Sequence, residues 1–232
     1  LSGKRSGGDL MLKLVILDLD QTILDTLHRF HEVFNEVLDE SGGEPLSWEK
    51  FVKYYSEDRL DEFIPSGVDK EEFWREFATR YAAREHPEDA PIKGAREALE
   101  ELRSMGLKIV VTTGRRATPE QIWDELRKYG FVDLVDAVYT LGQLESNSGG
   151  LWHRHELIER VLRDFRLSPR EAIFVGDYWV DVESARMAGV LSVGVLTGLE
   201  PPERLRAKGA DYIIEGIWEL PDLLRRLTTC WS

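Results

Sequence analysis

Only one cysteine, Cys230, stands in the 232 residues. No intrachain disulfide can staple the fold, and a reducing cytoplasm is the expected compartment. Positive charge is short: 30 Lys and Arg against 43 Asp and Glu leave a formal charge of −13. That sign argues against a nucleic-acid partner, whose phosphates must be met by cations. A small anionic substrate is still compatible, provided a local patch of Lys, Arg, backbone N–H groups or metal receives it. No apolar run approaches the roughly 20 residues needed to cross a bilayer, so no membrane partner is expected. Residues 1–10 lack the apolar core of a signal peptide and read as a flexible leader, with Met11 as a candidate start. Internal repeats are absent, and monomer and homodimer both stay open. With 42% hydrophobic content, the length suits one α/β domain carrying an insertion, or two small domains.

What is present changes character twice along the chain. Leu14-Val15-Ile16-Leu17 is too short for a helix, reads as a buried parallel strand, and runs into Asp18-Leu19-Asp20-Gln21-Thr22. From 25 to 90 the pattern is helical, and nothing in it reads as a strand. Leu27, Phe30, Phe34, Val37 and Leu38 share one face before Ser41-Gly42-Gly43 stops the helix. Ser47 is placed to cap a second helix, and Asp69 with Glu72 a third. After Pro91 short apolar strands alternate with helices. Strands are expected at 108–112, 137–139, 172–175, 192–195 and 212–214, and helices at 95–102, 118–129, 155–165 and 181–188, with a last one through Leu223, Leu224 and Leu227. Thr118-Pro119-Glu120-Gln121 carries an N-cap, a Pro at the first helical position and a capping-box Gln. Strands separated by helices predict a doubly wound α/β core with a largely parallel, Rossmann-like sheet and an inserted all-helical segment.

Ligands of such sheets bind beyond the carboxyl ends of the strands. Asp18 and Asp20 follow the first strand, Thr113 the second, and Asp177 and Asp181 follow Ile173-Phe174-Val175-Gly176. Four carboxylates converging on one rim repel each other unless a cation sits among them, and hard oxygen ligands favour magnesium over zinc. Asp181 also stands where a helix N-cap belongs, and Asp18 and Asp20 alone could be ordinary turn residues.

Asp18-Leu19-Asp20-Gln21-Thr22, Thr113 after its strand, and Gly176-Asp177-Tyr178-Trp179-Val180-Asp181, in this order, resemble the motifs of the haloacid dehalogenase superfamily, phosphoglycolate-phosphatase-like members included. The resemblance runs from about Lys13 to the C-terminus. It implies a core of residues 11–24 and 91–232 and a mobile helical cap of residues 25–90. It also implies a magnesium-dependent phosphatase acting on a small phosphorylated metabolite. Asp18 would be the nucleophile and become phosphorylated, and Asp20 the general acid and base. Asp18 and Asp177 would bind Mg2+ by their side chains, Asp20 by its carbonyl, and Asp181 in the metal shell; Thr113 would bind a phosphoryl oxygen. Asp20 favours phosphate over halide chemistry, because an oxygen leaving group needs a proton. A phosphosugar mutase, and a catalytically weak phosphate-binding or regulatory protein, are the alternatives.

The sequence departs from the family where a Lys usually precedes the helix before the Gly-Asp motif. The usual spacing falls on Trp152, and His153-Arg154-His155 follow; Arg154 is the substitute, with a solvated helix start as its rival reading. Gln21 stands where Gly is common. His153 and His155 read as helix-end residues rather than a metal pair. Arg115 and Arg116 read equally as mouth residues or a solvated loop, and Lys93 as a surface charge. Of Trp48, Tyr54, Phe63, Trp74 and Tyr81, one or two are expected to reach the substrate, the rest forming the helical core.

Overall fold

A computed structural model describes residues 12–144 and 152–229, the side chains of 228 and 229 excepted. The leader, Met11 as start, and Cys230 lie outside the described residues. The chain opens with β1 (Leu14–Asp18) and β2 (Leu24–Asp25), then α1 (Leu27–Glu40), α2 (Trp48–Ser56) and α3 (Lys70–Ala83). It continues through β3 (Ala90–Pro91), α4 (Ala95–Ser104), β4 (Lys108–Thr113), α5 (Pro119–Lys128), β5 (Ala137–Thr140) and α6 (His155–Phe165). It ends with β6 (Ala172–Gly176), α7 (Trp179–Met187), β7 (Leu191–Val195), α8 (Pro202–Lys208), β8 (Tyr212–Ile214) and α9 (Leu220–Thr229).

Six strands form one parallel sheet in the order β5-β4-β1-β6-β7-β8. Leu17 lies between Val111 of β4 and Val175 of β6, so β1 is buried on both edges. Alternate residues of a strand face opposite sides of a sheet. Accordingly Val15 and Leu17 join a core with Leu99 and Leu102 of α4, Ile122 and Leu126 of α5, and Leu223 and Leu224 of α9. Leu14 and Ile16 face the other way, onto Leu157, Ile158 and Val161 of α6 and Ala185 of α7. This is the doubly wound architecture expected. The chain order reverses at β1, between β4 and β6, and there the crevice of such a sheet opens.

The local signals act as their chemistry requires. The Ser47 hydroxyl accepts the Lys50 N–H and the Asp69 carboxylate the Glu72 N–H. Thr118 and Gln121 close the reciprocal capping box of α5. The three helices of the insertion share an aromatic core containing Phe34, Phe51, Phe73 and Phe77. Two elements differ from expectation. The ends of the insertion pair antiparallel, Leu24 with Pro91 and Asp25 with Ala90; two-residue strands carry no periodicity to read. The short helix α8 left as little to read, with seven residues that begin at Pro202 behind the N-cap Pro201. No helix among the described residues is long and apolar enough to cross a membrane.

One buried cation ties the insertion to the sheet. Arg29 of α1 donates through Nε to Asp89 at 2.9 Å and pairs with Glu125 of α5 at 2.6 Å. Both Arg29 and Asp89 are buried, so removing one charge strands the others in low dielectric. Arg29→Met should lower stability by about 3–5 kcal/mol, read from the midpoint of chemical denaturation.

Candidate active site

The ends of β1 and β6 bring Asp18, Asp20, Asp177 and Asp181 to one crevice, while Thr113, at the end of β4, lies behind its wall. Asp18 is the last residue of β1, and Asp177 follows β6 directly. Carboxylate oxygens of Asp18, Asp177 and Asp181 lie within 4.8 Å of one another, all three buried. Two glycines make this approach possible. A Cβ at Gly176 would collide with the Asp181 carboxylate, and one at Gly198, after β7, with that of Asp177. Burial, with Asp18 close by, pushes the Asp177 carboxyl well above the usual range. Burial raises Asp18 too, although Arg154 pulls the other way. Three buried carboxylates this close call for a cation, and an all-oxygen donor set in a space cleared of Cβ atoms fits a hard divalent ion.

Arg154 is buried and ion-pairs with both Asp18 and Asp181. The residue on the usual Lys spacing, Trp152, lines the cavity beside Gly114 instead. Asp181 does not start its helix. The helix begins at Trp179, and Asp181, its third residue, reaches back to accept the Tyr178 N–H at 3.2 Å. Thr113 is fully buried, and its hydroxyl oxygen accepts the Arg115 N–H at 3.1 Å, which leaves the hydroxyl proton to give. The cavity wall at that strand end is Gly114 and Arg115. Gln21 sits at φ 57°, where a glycine is unstrained; its buried amide oxygen, turned to α1, accepts the Thr26 and Leu27 N–H groups. His153 and His155 contribute nothing to the carboxylate cluster; His153 faces Glu183 at 3.4 Å.

Asp20 has a different neighbourhood. Arg115 Nε donates to it at 2.9 Å, the Thr26 hydroxyl at 2.7 Å, and the Tyr81 hydroxyl at 2.9 Å. Burial, the largest single influence, would raise its carboxyl, but Arg115, Arg29 and the Thr26 hydroxyl together hold it at about 2. Arg115 also binds Glu125 at 2.6 Å, so Asp20, Arg115, Glu125 and Arg29 form one chain of alternating charge. Sequence reasoning left Arg115 undecided and did not weigh Gly198. The signal for Arg115 was its place two residues after the strand end. For Gly198 only the turn after β7 pointed there. Arg116 and Lys93 are exposed. Of the helical aromatics singled out, Trp74 and Tyr81 line the cavity, while Trp48, Tyr54 and Phe63 pack in the helical core.

A family model described as haloacid dehalogenase-like hydrolase matches residues 15–195, and the chain belongs to that family. It is 30% identical over 215 residues to the "Putative pyrophosphatase PpaX" of Caldanaerobacter subterraneus, across 91% of this chain and 94% of that protein. It is 27% identical to the phosphoglycolate phosphatase of Chromobacterium violaceum, across 92% and 97%. The fold is similar to that of a haloacid dehalogenase-like hydrolase from Streptococcus pneumoniae, with a TM-score of 0.73 at 20% identity, across 92% and 99% of the two chains.

Because its folded carboxyl titrates below the ordinary 3.8, ionised Asp20 stabilises the fold above that pH, and the gain is lost as pH falls through about 2. Arg115→Met removes the counter-charge and leaves the burial. The Asp20 titration, followed by carbon NMR of labelled aspartate, should then move up from about 2, with Arg29 and Thr26 still holding it down in part.

Proposed function

We propose that this chain is a magnesium-dependent phosphatase that hydrolyses small phosphomonoesters through a phosphorylated Asp18. The observation that carries the reading is the buried contact of Asp18 with Arg154 beside the Asp177 and Asp181 carboxylates, at the switch point of the sheet. The names of the relatives point the same way. Arg154 fills the role of the family's Lys. It is a permanent cation that can grip a phosphoryl oxygen while it holds Asp18. Its place beside the nucleophile argues against a protein that only binds phosphate.

Asp18, Asp177, Asp181 and the Asp20 carbonyl would hold Mg2+, which neutralises charge on the phosphoryl oxygens when bound. An Asp18 oxygen attacks phosphorus as the bond to the leaving oxygen breaks, and Asp20 gives that oxygen its proton. The Asp20 carboxylate then takes a proton from water, whose oxygen attacks phosphorus, releases phosphate and regenerates Asp18. Thr113 donates its hydroxyl proton to a phosphoryl oxygen. To act as the acid, Asp20 must exchange its Arg115 contact for the leaving oxygen, since beside Arg115 it stays ionised. Residues 25–90 act as the cap over a core of 11–24 and 91–232, excluding water and selecting the leaving group. A reducing cytoplasm suits such an enzyme.

Hydrolysis of an aryl phosphate should require Mg2+ and fall by at least about a thousandfold in Asp18→Asn. Arg154→Ala should lower kcat by about a hundredfold, with Arg154→Lys recovering part of it. Full activity of Asp18→Asn refutes the mechanism, and an unaffected Arg154→Ala refutes the role given to that cation.

A further inference from the structure

The cavity over Asp18 has a volume of about 350 Å3, and its two halves differ in kind. The sheet side holds the charged groups described above. The insertion side is built from Phe30, Tyr55, Leu60, Trp74, Phe77 and Tyr81. Tyr55 and Tyr81 add two neutral phenols to this wall. Its only charged members among the described residues are acids, Asp58 and Asp61. The two lining cations, Arg115 and Arg154, both belong to the sheet side and are engaged by Asp20, Glu125, Asp18 and Asp181. Residues 145–151, which precede Trp152, contain no Lys, Arg or His.

A substrate that places its phosphoryl group on Asp18 pushes its leaving group against this aromatic wall. A second anion there would lose its hydration and meet no lining cation among the described residues, since Lys70 and Arg204 lie behind Asp61 and Asp58 and are held by them. A ring or other apolar body would instead bury its surface against Phe30, Trp74 and Phe77. We infer that the enzyme acts on phosphomonoesters of uncharged, ring-bearing alcohols and discriminates against substrates with a second negative group at the leaving end. This inference rests on the phosphatase reading and adds the substrate class to it. Phosphoglycolate and pyrophosphate, the compounds in the relatives' names, both carry such a second anion.

The test compares kcat/KM for benzyl phosphate, ethyl phosphate, phosphoglycolate and pyrophosphate with the magnesium-loaded protein. Benzyl phosphate should exceed ethyl phosphate by at least about tenfold, and ethyl phosphate should exceed both doubly anionic compounds by a similar factor. Trp74→Ala should shrink the benzyl-to-ethyl ratio, and Trp74→Arg should raise phosphoglycolate relative to ethyl phosphate. Should Trp74→Arg fail to fold, the wild-type ratios still decide. A preference for phosphoglycolate or pyrophosphate overturns this inference alone. Failure to hydrolyse any of the four overturns it together with the phosphatase reading.

Discussion

Three buried carboxylates within reach of each other cannot all stay ionised without positive charge among them, and much of this structure answers to that constraint. The parallel sheet delivers Asp18 and Asp177 from adjacent strands, and α7 delivers Asp181. Gly176 and Gly198 clear the space, since a Cβ at either would strike a carboxylate. Arg154 supplies a fixed guanidinium between Asp18 and Asp181, and the remaining excess of negative charge leaves room for a divalent ion. In a chain with a formal charge of −13, one buried guanidinium thus stands where three carboxylates meet.

A second electrostatic arrangement runs away from that point. Asp20, Arg115, Glu125, Arg29 and Asp89 alternate in sign from the end of β1 to the far end of the insertion. Tyr81 of α3 and Thr26, just ahead of α1, bond to the same Asp20 carboxylate. The position of the insertion and the protonation of Asp20 are therefore bound together. The donors that hold the Asp20 carboxylate thus come from both sides, Arg115 from the sheet and Tyr81 from the insertion.

The sheet and its order of helices were legible because buried parallel strands leave short apolar runs, and caps such as Ser47, Asp69 and Thr118 leave fixed spacings. The gathering of Asp18, Asp20 and Asp177 at one crevice was legible because strand ends are where such sheets open; that Thr113 lies behind the Gly114–Arg115 wall was not, because burial at a strand end leaves no local signal. The two-residue pairing of Leu24–Asp25 with Ala90–Pro91 was not, because nothing that short has a period. Nor was the burial of Arg115, which depends on Glu125 from the next helix and Tyr81 from the insertion. The spacing of Asp181 predicts a helix start there; the helix begins two residues earlier, at Trp179, and Asp181 caps it from the third position by accepting the Tyr178 N–H. The contrast between the charged and aromatic halves of the cavity emerges only when the insertion is folded over the sheet.

The claim at the centre is that phosphate passes through Asp18. Quenching the protein in mid-turnover and treating it with borohydride reduces an aspartyl phosphate to homoserine, which peptide mass analysis locates. The account predicts homoserine at position 18, formed only when magnesium and substrate are both present. An unmodified Asp18 in a sample that is actively releasing phosphate, or homoserine at another aspartate, would contradict it.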